Sequence, residues 1–229
     1  MSISLKTKDS VNEDKENELI TELYEHLSQM GMNAAVVESG SPENVGGLVT
    51  FALGCVKLEG RNIDLVQVER SSVAALQPKL EPGKSGYTRE KGQGSTRYDY
   101  HYVVRAKVAG LESKLEAVLT PIEKRKGLFG KEFVGFQWKG GYLAQLLDGD
   151  SVLKDMLLKE GFQGLTIKPE NEHQCVRITP PTGAVTAARF DFDQYHPLVI
   201  GRKAFPTQGA FEVYDRIAQR IRGITSAQV

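Results

Sequence analysis

The hydrophobic pattern of this chain changes period several times. Leu19, Ile20, Leu23, Tyr24, Leu27 and Met30 recur at helical spacing, with Glu16, Glu18, Glu22 and Glu25 between them. This predicts an amphipathic helix that Asp14 can cap and Gly31 ends. Asn33 to Glu38 then reads as a strand, Leu48 to Leu58 as a long apolar strand, and Glu59-Gly60-Arg61-Asn62 as a hairpin turn. Ile63 to Glu69 alternates, but neither of its faces is fully apolar, which predicts an outer strand. Pro78 to Ser95 contains Pro78, Pro82, Gly83, Gly86, Gly92 and Gly94 and reads as a long mobile loop. Arg97 to Val108 is a strand with Tyr98, Tyr100, Tyr102 and Val104 on one face. Leu111, Leu115, Val118 and Leu119 predict a short helix, ended by Pro121.

The densest apolar run follows. Phe133 to Trp138 reads as a buried strand, Lys139-Gly140-Gly141 as a break, Tyr142 to Leu147 as a short helix, and Ser151 to Glu160 as a second one. Asp150 or Ser151 can cap that second helix and Gly161 can end it. Gly164 to Lys168 and Cys175 to Thr179 are strands joined by a polar turn, and Val185 to Phe192 reads as another strand. Pro206 opens a final helix with Phe211, Tyr214, Ile217, Ala218 and Ile221 as its apolar stripe.

Short hairpin turns outnumber helical crossovers, so the predicted class is α+β: a mainly antiparallel sheet with helices packed on one face. A weak internal echo accompanies it. Leu23 to Leu27 with Gly31-Met32 aligns with Leu153 to Leu157 with Gly161-Phe162, and in both a helix ends at glycine before a strand. The predicted organisation is a disordered tail at 1–14, a helix-plus-antiparallel-sheet module at 15–77, a flexible linker at 78–95, and a second α+β module at 96–229, similar to the first if the echo reflects duplication. Gly is the preferred helix stop, so helix-Gly-strand junctions also arise without duplication.

Composition narrows the class. The chain has 229 residues, 40% hydrophobic and 25% charged, as in ordinary globular proteins. Its 29 basic and 29 acidic residues cancel, which argues against a dedicated nucleic-acid binder. The charge is nevertheless uneven: Met1 to Pro78 carries 6 Lys/Arg against 12 Asp/Glu, and Lys79 to Lys139 carries 13 against 7. A basic middle segment of this kind can meet an anionic polymer, with Arg89, Lys91, Lys124, Arg125 and Lys126 as the candidate binding residues. Met1 to Asn17 lacks the apolar core of a signal peptide, no window reaches the ~20 apolar residues of a membrane span, and Cys55 and Cys175 sit in apolar strand-like runs. The expectation is a soluble cytoplasmic protein with reduced thiols.

Catalytic patterns are sparse. Metal-dependent nucleases of the restriction-enzyme type place an Asp and then a Glu-x-Lys on a hairpin after a helix, where carboxylates hold Mg²⁺. Among Glu59, Asp64, Glu69 and Arg70, the pair Asp64 and Glu69 offers the carboxylates. Their odd offset puts them on opposite strand faces, however, and Ser71 stands where the Lys is required. Asp191, Asp193 and His196 could grip a metal, but one Asp pair and one His is a common coincidence, and a polar strand end is the preferred reading. His173 and Cys175 have no second ligand pair, so no metal or other cofactor is called for. The row Tyr98, Tyr100 and Tyr102 reads as a sheet face packed under helices in preference to a nucleobase-stacking platform. The leading expectation is a non-catalytic binding or assembly protein that self-associates or meets another protein. The Mg²⁺-dependent nuclease and the anionic-polymer binder are the alternatives.

Overall fold

The computed structural model describes residues 8–37, 52–73, 76–80, 87–91, 95–126, 130–162, 164–180 and 205–227. The order along the chain is α1 (Lys8–Gln29), β1 (Asn33–Val37), β2 (Ala52–Glu59), β3 (Leu65–Val73), β4 (Leu76–Leu80), β5 (Tyr87–Lys91), β6 (Ser95–Arg105), α2 (Glu112–Leu115), β7 (Ala117–Lys126), β8 (Gly130–Gly140), α3 (Tyr142–Asp148), α4 (Ser151–Lys159), β9 (Leu165–Glu170), β10 (Cys175–Thr179) and α5 (Gln208–Ser226). Eight strands form one sheet in the order β1-β2-β3-β6-β10-β9-β7-β8, and β4 pairs with β5 in a separate two-stranded sheet. Every pairing is antiparallel. The fold class is α+β, as the pattern predicts.

The helices cover one face. Alternate strand residues Val56, Val66, Val68, Tyr102, Val104, Ile167, Val176 and Ile178 are buried in one cluster with Leu19, Leu23 and Leu27 of α1, Leu153 and Leu157 of α4, and Phe211, Tyr214 and Ile217 of α5. Tyr100 and Tyr102 of the tyrosine row belong to this face. Tyr102 stacks on Tyr214 with ring centroids 3.9 Å apart and meets Phe211 edge-on. Burial raises the pKa of both phenols, so both stay neutral in the core.

Several expectations change. β3 is not an outer strand: it lies between β2 and β6, and Leu65, Val66, Gln67 and Val68 are all buried. Polar residues on both of its faces made it read as an outer strand, but residues of both faces are buried here. Phe133 to Trp138 is not a buried strand. It belongs to β8, the last strand of the sheet, where Phe133 and Val134 are exposed and Trp138 is buried. A short apolar run does not by itself distinguish a central strand from an edge. The helix at Leu111 to Leu119 is a single turn, and Pro121 sits inside β7 opposite Phe136. Proline is tolerated there because β9 pairs with β7 only from Ala117 to Leu119, and among the described residues the next ones have no ladder on that side. Part of the Pro/Gly-rich stretch is the β4–β5 hairpin. α1 starts at Lys8, ahead of Asp14. The strand expected at Val185 to Phe192 lies outside the described residues.

The two echoing junctions are alike in detail. Gly31 and Gly161 have φ of +76° and +67°, and the amides of Met32 and Phe162 donate to the carbonyls of Leu27 and Leu157 at 3.2 and 3.1 Å. Both helix ends are therefore closed by the same glycine-based motif. The strands that follow, β1–β2 and β9–β10, lie in one sheet on either side of the β3–β6 pair.

Gly140 and Gly141 turn β8 into α3 against the α2–β7 corner. A Cβ at Gly140, which has φ +138°, would press on the Glu116 carbonyl, and one at Gly141 would overlap the Ser113 carbonyl. Both obstacles are backbone, so neither can swing aside. Gly141→Ala should lower stability by about 1–3 kcal/mol or more. Gly149→Ala, whose Cβ would meet only carbonyls at 3.6 Å, should be close to neutral. Urea denaturation midpoints of the two variants make the comparison.

Candidate functional site

The first candidate pair divides. The Arg222 Nη2 lies 2.8 Å from both carboxylate oxygens of Asp64, and the Arg105 amide donates to Oδ2 at 2.7 Å. Arg222 also donates through Nε to the Asn62 carbonyl, while Asp215 of the same helix accepts from the amide and side chain of Asn62. Asp64 thus helps to lock α5 onto the β2–β3 turn. A metal ion at this carboxylate has to compete with a resident guanidinium. Glu69 lies five residues on, in register with Asp99 of β6, at a strand position of opposite parity. Glu59 accepts from Asn33 at 2.8 Å. Among the described residues no group of three or more His, Cys, Asp or Glu is placed to hold a metal ion. Asp191, Asp193 and His196 lie outside those residues.

A second carboxylate has the same tying role. Asp150 caps α4 by accepting from the Leu153 amide at 3.1 Å, as the sequence suggests. It also receives Arg216 Nε and Nη2 at 3.0 and 2.8 Å and Arg220 Nη2 at 2.7 Å. Burial alone raises this group's pKa. The hydrogen bonds from Arg216, Arg220 and the Leu153 amide outweigh that effect and hold it well below the usual carboxylate range. The arginines come from α5, which follows Asp150 by some sixty residues, so no local signal marks the site as more than a cap.

The sheet's other face holds a compact row of buried polar groups. Cys55, Gln67 and His101 are in register across β2, β3 and β6, and Val103 of β6 faces Arg177 of β10. His101 Nδ1 shares a hydrogen bond with Thr179 Oγ1 at 2.9 Å, and Arg177 forms an ion pair with Glu170 at 3.1 Å. The Gln67 amide is 2% exposed and finds no hydrogen-bond partner among the described residues. Cys55 and Cys175 are buried, and burial pushes the Cys175 thiol up to about 11, which makes it a poor nucleophile.

Three basic candidates fall on the β7–β8 pair and two on the separate β4–β5 pair. β7 and β8 stay paired from Ala117–Gly140 out to Lys126–Gly130, although β9 accompanies β7 only as far as Leu119. Among the described residues, the seven from Thr120 to Lys126, about 23 Å of strand, therefore run beyond β9 paired only with β8. Lys124 is exposed there, opposite Glu132, and Arg125 and Lys126 hold the register positions beyond it. Likewise β3 and β6 stay paired out to Val73–Ser95, while β10 accompanies β6 only to Tyr102 and the described part of β2 reaches only Glu69. The β4–β5 hairpin, with Arg89 and Lys91 on β5, begins within a few residues of this second ribbon's end.

A β-bulge shapes the β7–β8 ribbon. The register shifts at Ile122/Glu123, so Val134 is the extra residue and Gly135 takes φ +155°. That shift puts Phe133 and Phe136 on one face, where their rings meet edge-on at 4.8 Å. Ile122, Phe133 and Val134 are 39%, 47% and 45% exposed. Sequence reading placed the cations but not the ribbon: it took the start of β7 for a helix ended by Pro121 and stopped β3 at Glu69.

No protein-family model, curated protein or solved structure matches this chain. No described helix is long and apolar enough to cross a membrane.

The Asp150 node yields a pH prediction. Its pKa is depressed in the fold, so its stabilisation is complete above the unfolded value of about 4 and is lost as pH falls towards the lower folded value. Asp150→Ala should cost about 3 kcal/mol at neutral pH, the lower end for a broken buried pair because both arginines are partly exposed. Urea titrations between pH 2 and 7 should show wild type losing this margin below about pH 4 and converging on the variant.

Proposed function

We propose that this chain is a non-catalytic binding protein that meets a macromolecular partner through its β-ribbons. The observation that supports this reading is the exposure of Ile122, Phe133 and Val134 on a ribbon that has left its sheet. A lone two-stranded ribbon is marginally stable in water, and apolar side chains clustered on such an element are the mark of a contact surface. Of the two carboxylates that the nuclease reading uses, Asp64 already has a partner, the Arg222 guanidinium.

A photo-crosslinking residue placed at Phe133 tests the reading in an extract of the source cells. The same residue at Leu158, an equally exposed apolar position on α4, serves as the control. A macromolecule crosslinked from Phe133 and not from Leu158 is the expected result. No adduct from Phe133, or equal adducts from both positions, would contradict it.

A further inference from the structure

We infer that the partner is a second copy of this chain, joined to the first by antiparallel pairing of the two β8 edges; this rests on the binding role proposed above. Three observations carry it.

The first is the edge itself. β8 ends the sheet order, so among the described residues no strand pairs with its outer side. Glu132, Phe133, Val134, Gln137, Lys139 and Gly140 are exposed along it, so the edge is open to solvent on both sides of the bulge. Such an edge presents unpaired N–H and C=O groups that a further strand can meet.

The second is the bulge, which selects the strand. In a regular strand, residues an odd number apart point to opposite faces and direct their backbone groups to opposite edges. Phe133 and Trp138 are an odd number apart, yet both lie on the helical face, because Val134 is inserted between them. Phe133 meets Phe136 edge-on, and Phe136 packs against the core cluster that contains Trp138. A regular partner strand is therefore in phase with β8 on one side of the bulge and out of phase on the other. An antiparallel strand with the same bulge makes the same odd step and stays in phase on both sides. The β8 of a second copy is such a strand.

The third is what that register brings together. Placing Phe133 of one copy opposite Trp138 of the other sets Glu132 opposite Lys139, and the twofold axis repeats both pairs. Opposite charges at facing positions stabilise a strand pair. Slid by two residues either way, Glu132 meets Gln137 or Gly141 and the charge match is lost. In the matched register Phe133 and Val134 meet a strand instead of water, and Tyr142, 51% exposed, opens α3 just past Gly140 at the same place. The outer part of each β7–β8 ribbon lies along the sheet end of the other copy's β8. A two-stranded ribbon, marginal alone, thereby gains a third strand.

Sedimentation equilibrium of the full chain, up to about 200 µM in 150 mM KCl, is the first test. We expect a species of twice the 25.3 kDa of one chain. K139E sets a carboxylate against Glu132 of the other copy and should raise the dimer Kd more than tenfold. K159E makes the same charge change at an exposed position on α4 and should stay within threefold of wild type. Disulfide capture reads the register. Positions 132 and 139 are about 23 Å apart along one strand, and each is as far from its own counterpart across the axis. E132C alone and K139C alone should therefore give no disulfide-linked dimer, whereas an equimolar mixture of the two should. Wild type that stays monomeric throughout the range would overturn the inference. So would a mixture that is not captured, or either single variant captured as readily as the mixture. If the chain is monomeric while Phe133 still crosslinks to a different macromolecule, self-pairing falls and the general binding role stands. No adduct at Phe133 removes both.

Discussion

Unequal strand lengths within one antiparallel sheet are the constraint on which this structure turns. A strand's backbone groups need a partner along its whole length. Where a neighbour stops early, the longer strand can continue only with its other neighbour. β9 stops accompanying β7 at Leu119, and β10 stops accompanying β6 at Tyr102. The pairs β7–β8 and β3–β6 continue, and because β3 and β7 run in the same direction both continuations emerge at the same end. Pro121 and the bulge at Val134 both lie just past such a limit, where a missing donor or an extra residue disturbs no third strand.

The helical face holds this sheet in place. α5 packs over Tyr102 through Phe211 and Tyr214, and its polar side reaches two separate carboxylates. Arg222 grips Asp64 at the β2–β3 turn, and Arg216 and Arg220 grip Asp150 at the start of α4. One helix near the end of the chain thus joins the first hairpin to the α4 junction. The same contacts engage one carboxylate of the nuclease candidate pair, Asp64, in an ion pair. The proposed binding role fits this division of labour: acids and arginines fasten the body, while Lys124 is exposed on the β7–β8 ribbon.

The sequence made the fold class legible because periodicity is local. The stripe of α5 (Phe211, Tyr214, Ile217, Ala218, Ile221), the glycine stops at Gly31 and Gly161, and the Asp150 cap can each be read within a turn or two of chain. Strand order is not local. Gln67 made β3 look like an edge and Phe133 made β8 look like an interior strand, and both readings reversed once the neighbours were known. The ribbon residues Lys124, Arg125 and Lys126 were visible as cations. That they stand on a projecting ribbon depended on where β9 ends, some forty residues further along. Arg222 on Asp64 was hidden for the same reason, since the two residues are 158 positions apart.

Native-state hydrogen exchange of the monomeric chain tests the central claim most directly, because it reads whether a backbone amide shares in the stability of the sheet or opens on its own. The account predicts strong protection at Val66, Val103 and Val176 in the centre of the sheet and protection lower by orders of magnitude beyond Thr120 in β7, beyond Arg70 in β3 and throughout β4–β5. Equal protection in the ribbons and the sheet would contradict it, because the ribbons would then be integral to the body and not free to receive a partner.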